Sequence, residues 1–90
     1  MGYEGKKTLV VDESKVMGQI IINSLKELGF SYPSEAENGA AGLKKIGEEL
    51  VDLIVSCWNM SNMTGLEFLK AVRPNTDLKG TTFIMVTSEA

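Results

Sequence analysis

Two adjacent carboxylates, Asp12 and Glu13, directly follow a short run of apolar and β-branched residues, 8–11. Hard cations such as Mg²⁺ bind oxygen ligands, and protein sites for Mg²⁺ commonly combine one or two carboxylates with several waters. A plainer explanation is that these acids are the first solvated residues after a buried strand, with Glu13 favouring the N-terminal end of the next helix. The acid pair by itself does not decide between a metal site and a solvated turn.

The sequence contains one cysteine, Cys57, and no histidine. A single thiol cannot form an internal disulfide, and without histidine it leaves too few ligands for a zinc site. A lone cysteine most often serves as a small buried apolar residue. Use of Cys57 as a nucleophile or redox thiol would instead require a lowered pKa.

The composition is that of one globular domain spanning residues 1–90, because 43% of the residues are apolar and charges of both signs are interspersed. The net charge is −3 and the basic residues are scattered, which argues against a nucleic-acid surface. No apolar run approaches the length of about 18 residues that a membrane-spanning helix needs. The first residues also lack the apolar stretch of an export signal. We therefore expect a cytoplasmic protein that binds neither membrane nor nucleic acid.

Strand-like and helix-like segments alternate along the sequence. The predicted strands cover residues 8–11, 33–37, 53–56 and 82–86, of which the first and third are typical of strands buried on both faces. Ser14 is a candidate N-cap for a first helix that Gly29 ends, with an apolar stripe formed by Met17, Ile20, Ile21, Leu25 and Leu28. The second and third helices are marked by Leu43, Ile46 and Leu50, and by Leu66, Leu69 and Val72.

This alternation predicts parallel strands joined by right-handed crossovers. Ligands of such sheets bind at the carboxyl ends of the strands. That rule selects three places on one edge: the acid pair at 12 and 13, Cys57 with the loop after it, and Thr87 with Ser88.

Five blocks of the sequence, in their order and at their intervals, resemble the receiver domains of response regulators, most closely the single-domain chemotaxis regulators of CheY type. The blocks are LVVDES (9–14), ENG (37–39), DLIVSCWNM (52–60), MTGLE (63–67) and MVTSEA (85–90). The resemblance implies an α/β, flavodoxin-like, doubly wound parallel sheet, which in the family has five strands in the order 2-1-3-4-5. This chain should contain about four strands and three helices, with the fifth strand and the last helices absent.

The resemblance also implies a phosphorylation site. In the family, a histidine kinase or small phosphodonor transfers a phosphoryl group to an aspartate at the end of the third strand. Mg²⁺ lies beside that aspartate, held by the acceptor, by an acid pair and by a backbone carbonyl. The acid pair corresponds to Asp12 and Glu13, the acceptor position to Cys57 and the carbonyl to Asn59. Thr87 matches the residue whose hydroxyl bonds the phosphoryl group and couples the site to the switching face.

Cys57 departs from the family pattern in a way that changes the chemistry. A thiol is a soft ligand and a poor substitute for a carboxylate that forms an acyl phosphate, so phosphoryl transfer should fail. The acids at 12 and 13 should raise the thiol pKa, which disfavours a nucleophilic or redox role. Cys57 is then a small buried residue, a natural or engineered knockout of the acceptor, or both.

Three further positions depart from the family pattern. Glu13 is one methylene longer than the usual aspartate and should push its carboxylate further into the site, and we expect Mg²⁺ to bind weakly or not at all. Ser61 and Thr64 stand where the family often has proline and an acid, and they should loosen the loop without touching the chemistry.

The family continues beyond the position of Ala90 with a helix, a fifth strand that carries an essential lysine, and a last helix. The strand at 82–86 should therefore be an uncovered edge, which can pair with another chain. We expect a signalling module, not an enzyme, that binds a histidine kinase or chemotaxis proteins and cannot be phosphorylated. The alternative is a natural or engineered half-domain whose role is assembly, as a homo-oligomer, a domain-swapped dimer or a fragment completed by another chain.

Overall fold

The computed structural model describes residue 3, residues 5–75, residue 78 and residues 80–87. Within these residues, strands and helices alternate as the sequence predicts. The elements are β1 (Lys7–Val11), α1 (Lys15–Glu27), β2 (Tyr32–Ala36), α2 (Gly39–Glu48), β3 (Leu53–Cys57), α3 (Gly65–Val72) and β4 (Thr82–Val86). Ser88, which the sequence placed at the same edge as Thr87, lies outside the described residues.

The four strands form one parallel sheet in the order β2-β1-β3-β4. Leu9 of β1 lies opposite Ser34 of β2 and Ile54 of β3, and Val55 of β3 lies opposite Ile84 of β4. This arrangement confirms the predicted flavodoxin-like fold. Since all strands run in the same direction, the loops that follow β1 and β3 lie at the same edge of the sheet as Thr87, the first residue after β4.

Local signals fix where the first two helices begin and end. The Ser14 hydroxyl accepts a hydrogen bond from the Met17 amide at 3.2 Å, and the Asn38 side chain accepts one from the Ala41 amide at 2.8 Å. Each bond satisfies an amide that has no partner within its helix. Gly29, with a φ of 106°, adopts the left-handed conformation that commonly follows a helix. The sequence prediction carried the second helix too far, because α2 ends at Glu48.

The sheet is covered by helices on both faces, which gives two groups of buried side chains. On the face covered by α2 and α3, the buried residues include Leu9, Val11, Ile54, Phe68 and Val72. On the face covered by α1, they are Val10, Ile22, Leu25 and Val55. Burial on both faces explains why β1 and β3 are continuous apolar runs instead of alternating ones.

The predicted apolar stripe of α1 is only partly correct. The helix buries Gly18, Ile22 and Leu25, whereas Met17, Ile20 and Leu28 of the predicted stripe are exposed. The reason is that α1 packs over β1 and β2, the two strands it connects, and one flank of its apolar surface therefore remains uncovered. None of the helices in the described part of the chain is long and apolar enough to cross a membrane.

Candidate functional site

The sequence-predicted residues that follow β1 and β3 come together at the carboxyl edge of the sheet. Asp12 and Glu13 follow β1 directly, Cys57 is the last residue of β3, and Asn59 lies two residues further on. They share a cleft of about 200 Å³, which is lined by Asp12, Glu13, Ser14, Met17, Cys57, Asn59 and Val86. Topology alone accounts for this convergence, because neighbouring parallel strands end side by side.

Thr87 lies at the same edge, directly after β4. Cys57 pairs with Val86 in the sheet, and the Trp58 amide donates a hydrogen bond to the Val86 carbonyl at 2.8 Å. Val86 lines the cleft, whereas Thr87 is the next residue along and is exposed. The phosphoryl-switch role that the resemblance gives to Thr87 stays a prediction.

The Cys57 thiol is half-buried and faces the loop that follows β3. Its Sγ donates a hydrogen bond to the carbonyl oxygen of Asn59, at 3.3 Å. Burial raises the pKa of the Cys57 thiol above its ordinary value, and the negative charges of Asp12 and Glu13 raise it further. The thiol is therefore protonated at neutral pH, and in this form it is a weak nucleophile.

Asp12 is held by the backbone on both sides. Its amide donates a hydrogen bond to the Ala36 carbonyl at 3.1 Å, which continues the pairing between β1 and β2. Its side chain turns toward the start of α1, where Oδ1 accepts a hydrogen bond from the Ser14 amide at 2.9 Å. One carboxylate oxygen of Asp12 is thus engaged in shaping the loop into the helix.

Glu13 lines the cleft, and there its carboxylate is engaged by the loop that follows β3. Its Oε2 accepts a hydrogen bond from the Ser61 amide at 2.8 Å, and its Oε1 accepts one from the Ser61 hydroxyl at 3.1 Å. We call this two-point contact between Glu13 and Ser61 the carboxylate clasp. The expectation that Ser61 loosens the loop was wrong, because Ser61 offers two hydrogen-bond donors and the longer side chain of Glu13 reaches them.

Thr64 also departs from expectation, because it fastens the loop instead of loosening it. Its hydroxyl accepts a hydrogen bond from the Glu67 amide at 3.1 Å, and the Glu67 carboxylate accepts one from the Thr64 amide at 2.9 Å. This reciprocal pair is a capping box at the start of α3. The hydrogen bond from the Thr64 amide lowers the pKa of Glu67. The Thr-x-x-Glu spacing in the sequence was the signal for this arrangement.

The ligand atoms at this edge are a poor set for a magnesium ion, because Cys57 places a soft sulfur where receiver domains have a carboxylate oxygen. Both oxygens of Glu13 and the carbonyl of Asn59 accept hydrogen bonds from the protein, and the thiol of Cys57 is a soft donor. Asp12 alone retains an oxygen without such a bond among those described here. Across residues 5–75 and 80–87, no three His, Cys, Asp or Glu side chains are arranged to hold a metal ion.

Comparison with known proteins gives consistent matches. Residues 8–90 match the family model described as "Response regulator receiver domain". The chain is 42% identical over 84 residues to the chemotaxis protein CheY of Pseudomonas aeruginosa, covering 93% of this chain and 68% of that protein. It is 37% identical to the chemotaxis protein CheY-3 of Vibrio cholerae, with 93% and 65% covered. The chain thus spans about two thirds of the length of these curated relatives.

Solved structures show the same similarity. The chemotaxis response regulator CheY4 of Vibrio cholerae superposes with a TM-score of 0.86 at 36% identity, over 94% of this chain and 70% of that one. A response regulator receiver protein from Pseudomonas putida superposes with a TM-score of 0.83 at 20% identity, over 94% and 69%. The second match bears on the fold alone.

Proposed function

Because the chain belongs to the response regulator receiver domain family, we propose that residues 1–90 act as one receiver module that cannot accept a phosphoryl group. Receiver domains of two-component and chemotaxis systems are signalling proteins and not classical enzymes, as the sequence indicated. The observation that carries the proposal is Cys57, a protonated and hydrogen-bonded thiol at the end of β3.

The chemistry of the cleft supports this proposal in two ways. An acyl phosphate requires a carboxylate oxygen as the attacking group, and Cys57 has none. Phosphoryl transfer also depends on cations that neutralise the charge of the transferred group. Here the donors that would hold such a cation are largely engaged within the protein, and the remaining charges of Asp12 and Glu13 repel an anionic phosphodonor.

The proposed partners are a histidine kinase or chemotaxis proteins, in the cytoplasm. The support is the identity of the relatives, which are chemotaxis proteins by name. A module that binds such partners without being phosphorylated would occupy them without passing on a signal. In this proposal Thr87 remains at the edge of the cleft with no phosphoryl group to bond.

Treatment with acetyl phosphate and MgCl₂ is expected to leave the intact mass of the chain unchanged. The measurement is mass spectrometry together with Trp58 fluorescence, since Trp58 directly follows Cys57. Cys57→Asp is the informative variant: it regains the acceptor carboxylate, but Glu13 is still engaged by Ser61, so we expect slow and partial labelling. A mass increase of one phosphoryl group on the unsubstituted chain, at Cys57 or elsewhere, would overturn the proposal.

Assembly through the sheet is the second candidate function, and exposed apolar side chains favour it. Ile84 of β4 is 46% exposed and Ile20 of α1 is 51% exposed, although both are large apolar residues. Ile84 lies on the same face of the sheet as Val55, which α1 helps to cover. Among the described strands, β4 is also outermost. We propose a second copy of the chain as the partner of this surface.

Sedimentation at micromolar concentration is expected to show a dimer. Ile84→Lys places a charge on the exposed face of β4 and should shift the chain to monomer, with its circular dichroism retained. Lys44→Glu, on the exposed side of α2, serves as the control that changes charge elsewhere. A folded monomer from the unsubstituted chain would exclude the assembly function.

A further inference from the structure

Two departures from the receiver pattern, Glu13 and Ser61, are each other's hydrogen-bond partners. Glutamate supplies the extra methylene that carries its carboxylate to the loop after β3. Serine supplies an amide hydrogen and a hydroxyl, whereas a proline at this position would supply neither. The carboxylate clasp therefore depends on both substitutions together.

The carboxylate clasp joins two loops that are 48 residues apart in sequence. One is the turn between β1 and α1, and the other is the loop between β3 and α3. In receiver domains these are the loops that contribute ligands to the bound cation, one through the acid pair and the other through a backbone carbonyl. The clasp thus makes a direct connection where the family uses a metal ion.

A second hydrogen bond in the cleft also engages a group that would otherwise be a ligand of the cation. The Cys57 thiol donates to the carbonyl of Asn59, which is the backbone group that the resemblance assigns to the metal. An aspartate at position 57 would be ionised and could only accept hydrogen bonds. The substitution at 57 therefore replaces a ligand of the cation with a thiol that donates a hydrogen bond to the Asn59 carbonyl.

We propose that the carboxylate clasp takes the place of the metal ion: it holds the β3–α3 loop against the end of β1 without a cation, and it competes with divalent cations for Glu13. Hydrogen bonds to an ionised acceptor are the stronger kind, and here two of them come from one residue. A cation that binds Glu13 would compete with both hydrogen bonds for the negative charge of the carboxylate. This inference depends on the proposed function only in taking the cleft to be the phosphorylation site of a receiver domain.

Amide hydrogen exchange in the loop, measured by NMR without metal, tests the clasp directly. Glu13→Asp shortens the side chain, Ser61→Pro removes both donors, and Ser61→Ala removes the hydroxyl alone. We expect the amides of Asn62 and Met63 to exchange about tenfold faster in the first two variants, with an intermediate effect in the third. Asn62→Ala, at an exposed position in the same loop, is the control. In this variant the exchange rate of the Met63 amide should equal that in the unsubstituted chain.

Titration with MgCl₂ tests the competition. In the unsubstituted chain, Mg²⁺ should leave the exchange rates of the loop unchanged. Ser61→Pro frees Glu13 without altering any of the residues that resemble metal ligands, and it should bind Mg²⁺ about tenfold more tightly, as followed by Trp58 fluorescence.

Two results would overturn the clasp proposal. One is protection of the loop by Mg²⁺ in the unsubstituted chain, and the other is an exchange rate in Ser61→Pro equal to that of the unsubstituted chain. Neither measurement involves a phosphodonor. Labelling of the chain by acetyl phosphate would therefore contradict the proposed function while leaving the clasp intact, and the two failures are distinguishable.

Discussion

Replacing Phe68 with alanine is expected to lower the free energy of unfolding by about 3–5 kcal/mol. Phe68 is fully buried on the face of the sheet covered by α2 and α3, where its ring lies 5.6 Å from that of Phe83. It also fills the space above Gly42, where an added Cβ would come within 2.9 Å of the ring. Gly42 has no side chain that could move into the cavity. The lost contacts are therefore not recovered.

Urea unfolding followed by circular dichroism measures this effect. Native domains have a total stability of only about 5–15 kcal/mol, so Phe68→Ala should unfold at a clearly lower urea concentration than the unsubstituted chain. Leu66→Ala is the matched control on the same helix, because Leu66 is 39% exposed and its truncation should change stability by less than about 1 kcal/mol. Equal losses in the two variants would contradict the assignment of Phe68 to the core.

Replacing Gly65 with alanine is expected to displace the start of α3 and to lower the free energy of unfolding by about 1–3 kcal/mol. An added Cβ would lie 2.5 Å from the Cys57 carbonyl oxygen, 2.5 Å from Met85 Sδ and 3.1 Å from Trp58 Cα. The methionine can move aside, but the two backbone atoms cannot move without distorting the end of β3. The amide of Gly65 also donates to the Trp58 carbonyl at 2.8 Å, which leaves little room for adjustment.

The displacement should be visible in Trp58 fluorescence as well as in the unfolding curve. Gly47→Ala is the matched control, since Gly47 lies in α2 and an added Cβ there meets nothing within 4 Å. In that variant the same chemical change should stabilise the chain by up to about 1 kcal/mol, because alanine favours a helix over glycine. Opposite signs are thus expected for the two variants, and a stabilising Gly65→Ala would be inconsistent with the packing described here.

The order of strands and helices could be predicted from sequence because each signal is local. Apolar runs mark β1 and β3, Ser14 caps α1, and Gly29 ends it. The buried face of α1 could not be predicted in the same way. Ile20 and Ile22 are equally apolar in the sequence. Only the position of the helix over β1 and β2 decides that Ile22 is buried and Ile20 is not.

The candidate site, too, could be predicted from the sequence only in part. Asp12, Cys57 and Asn59 could be placed together because the carboxyl ends of neighbouring parallel strands meet. The direction of the Glu13 side chain could not be predicted, since its hydrogen-bond partner lies in a loop 48 residues away. The available signal was that Glu13 and Ser61 depart from the family pattern at the same time, which suggests a contact between them.

The carboxylate clasp also has a consequence for the history of this sequence. A glutamate at position 13 has no hydrogen-bond donor to bind when position 61 is proline. A serine at position 61 is too far from the carboxylate when position 13 is the shorter aspartate. Neither substitution therefore forms the hydrogen bonds without the other. Once both are present, a reversion at Cys57 alone restores an acceptor to a site whose acid is already engaged. We therefore expect lineages of such receivers to change positions 13 and 61 in concert, and to regain full phosphorylation only when both revert along with position 57.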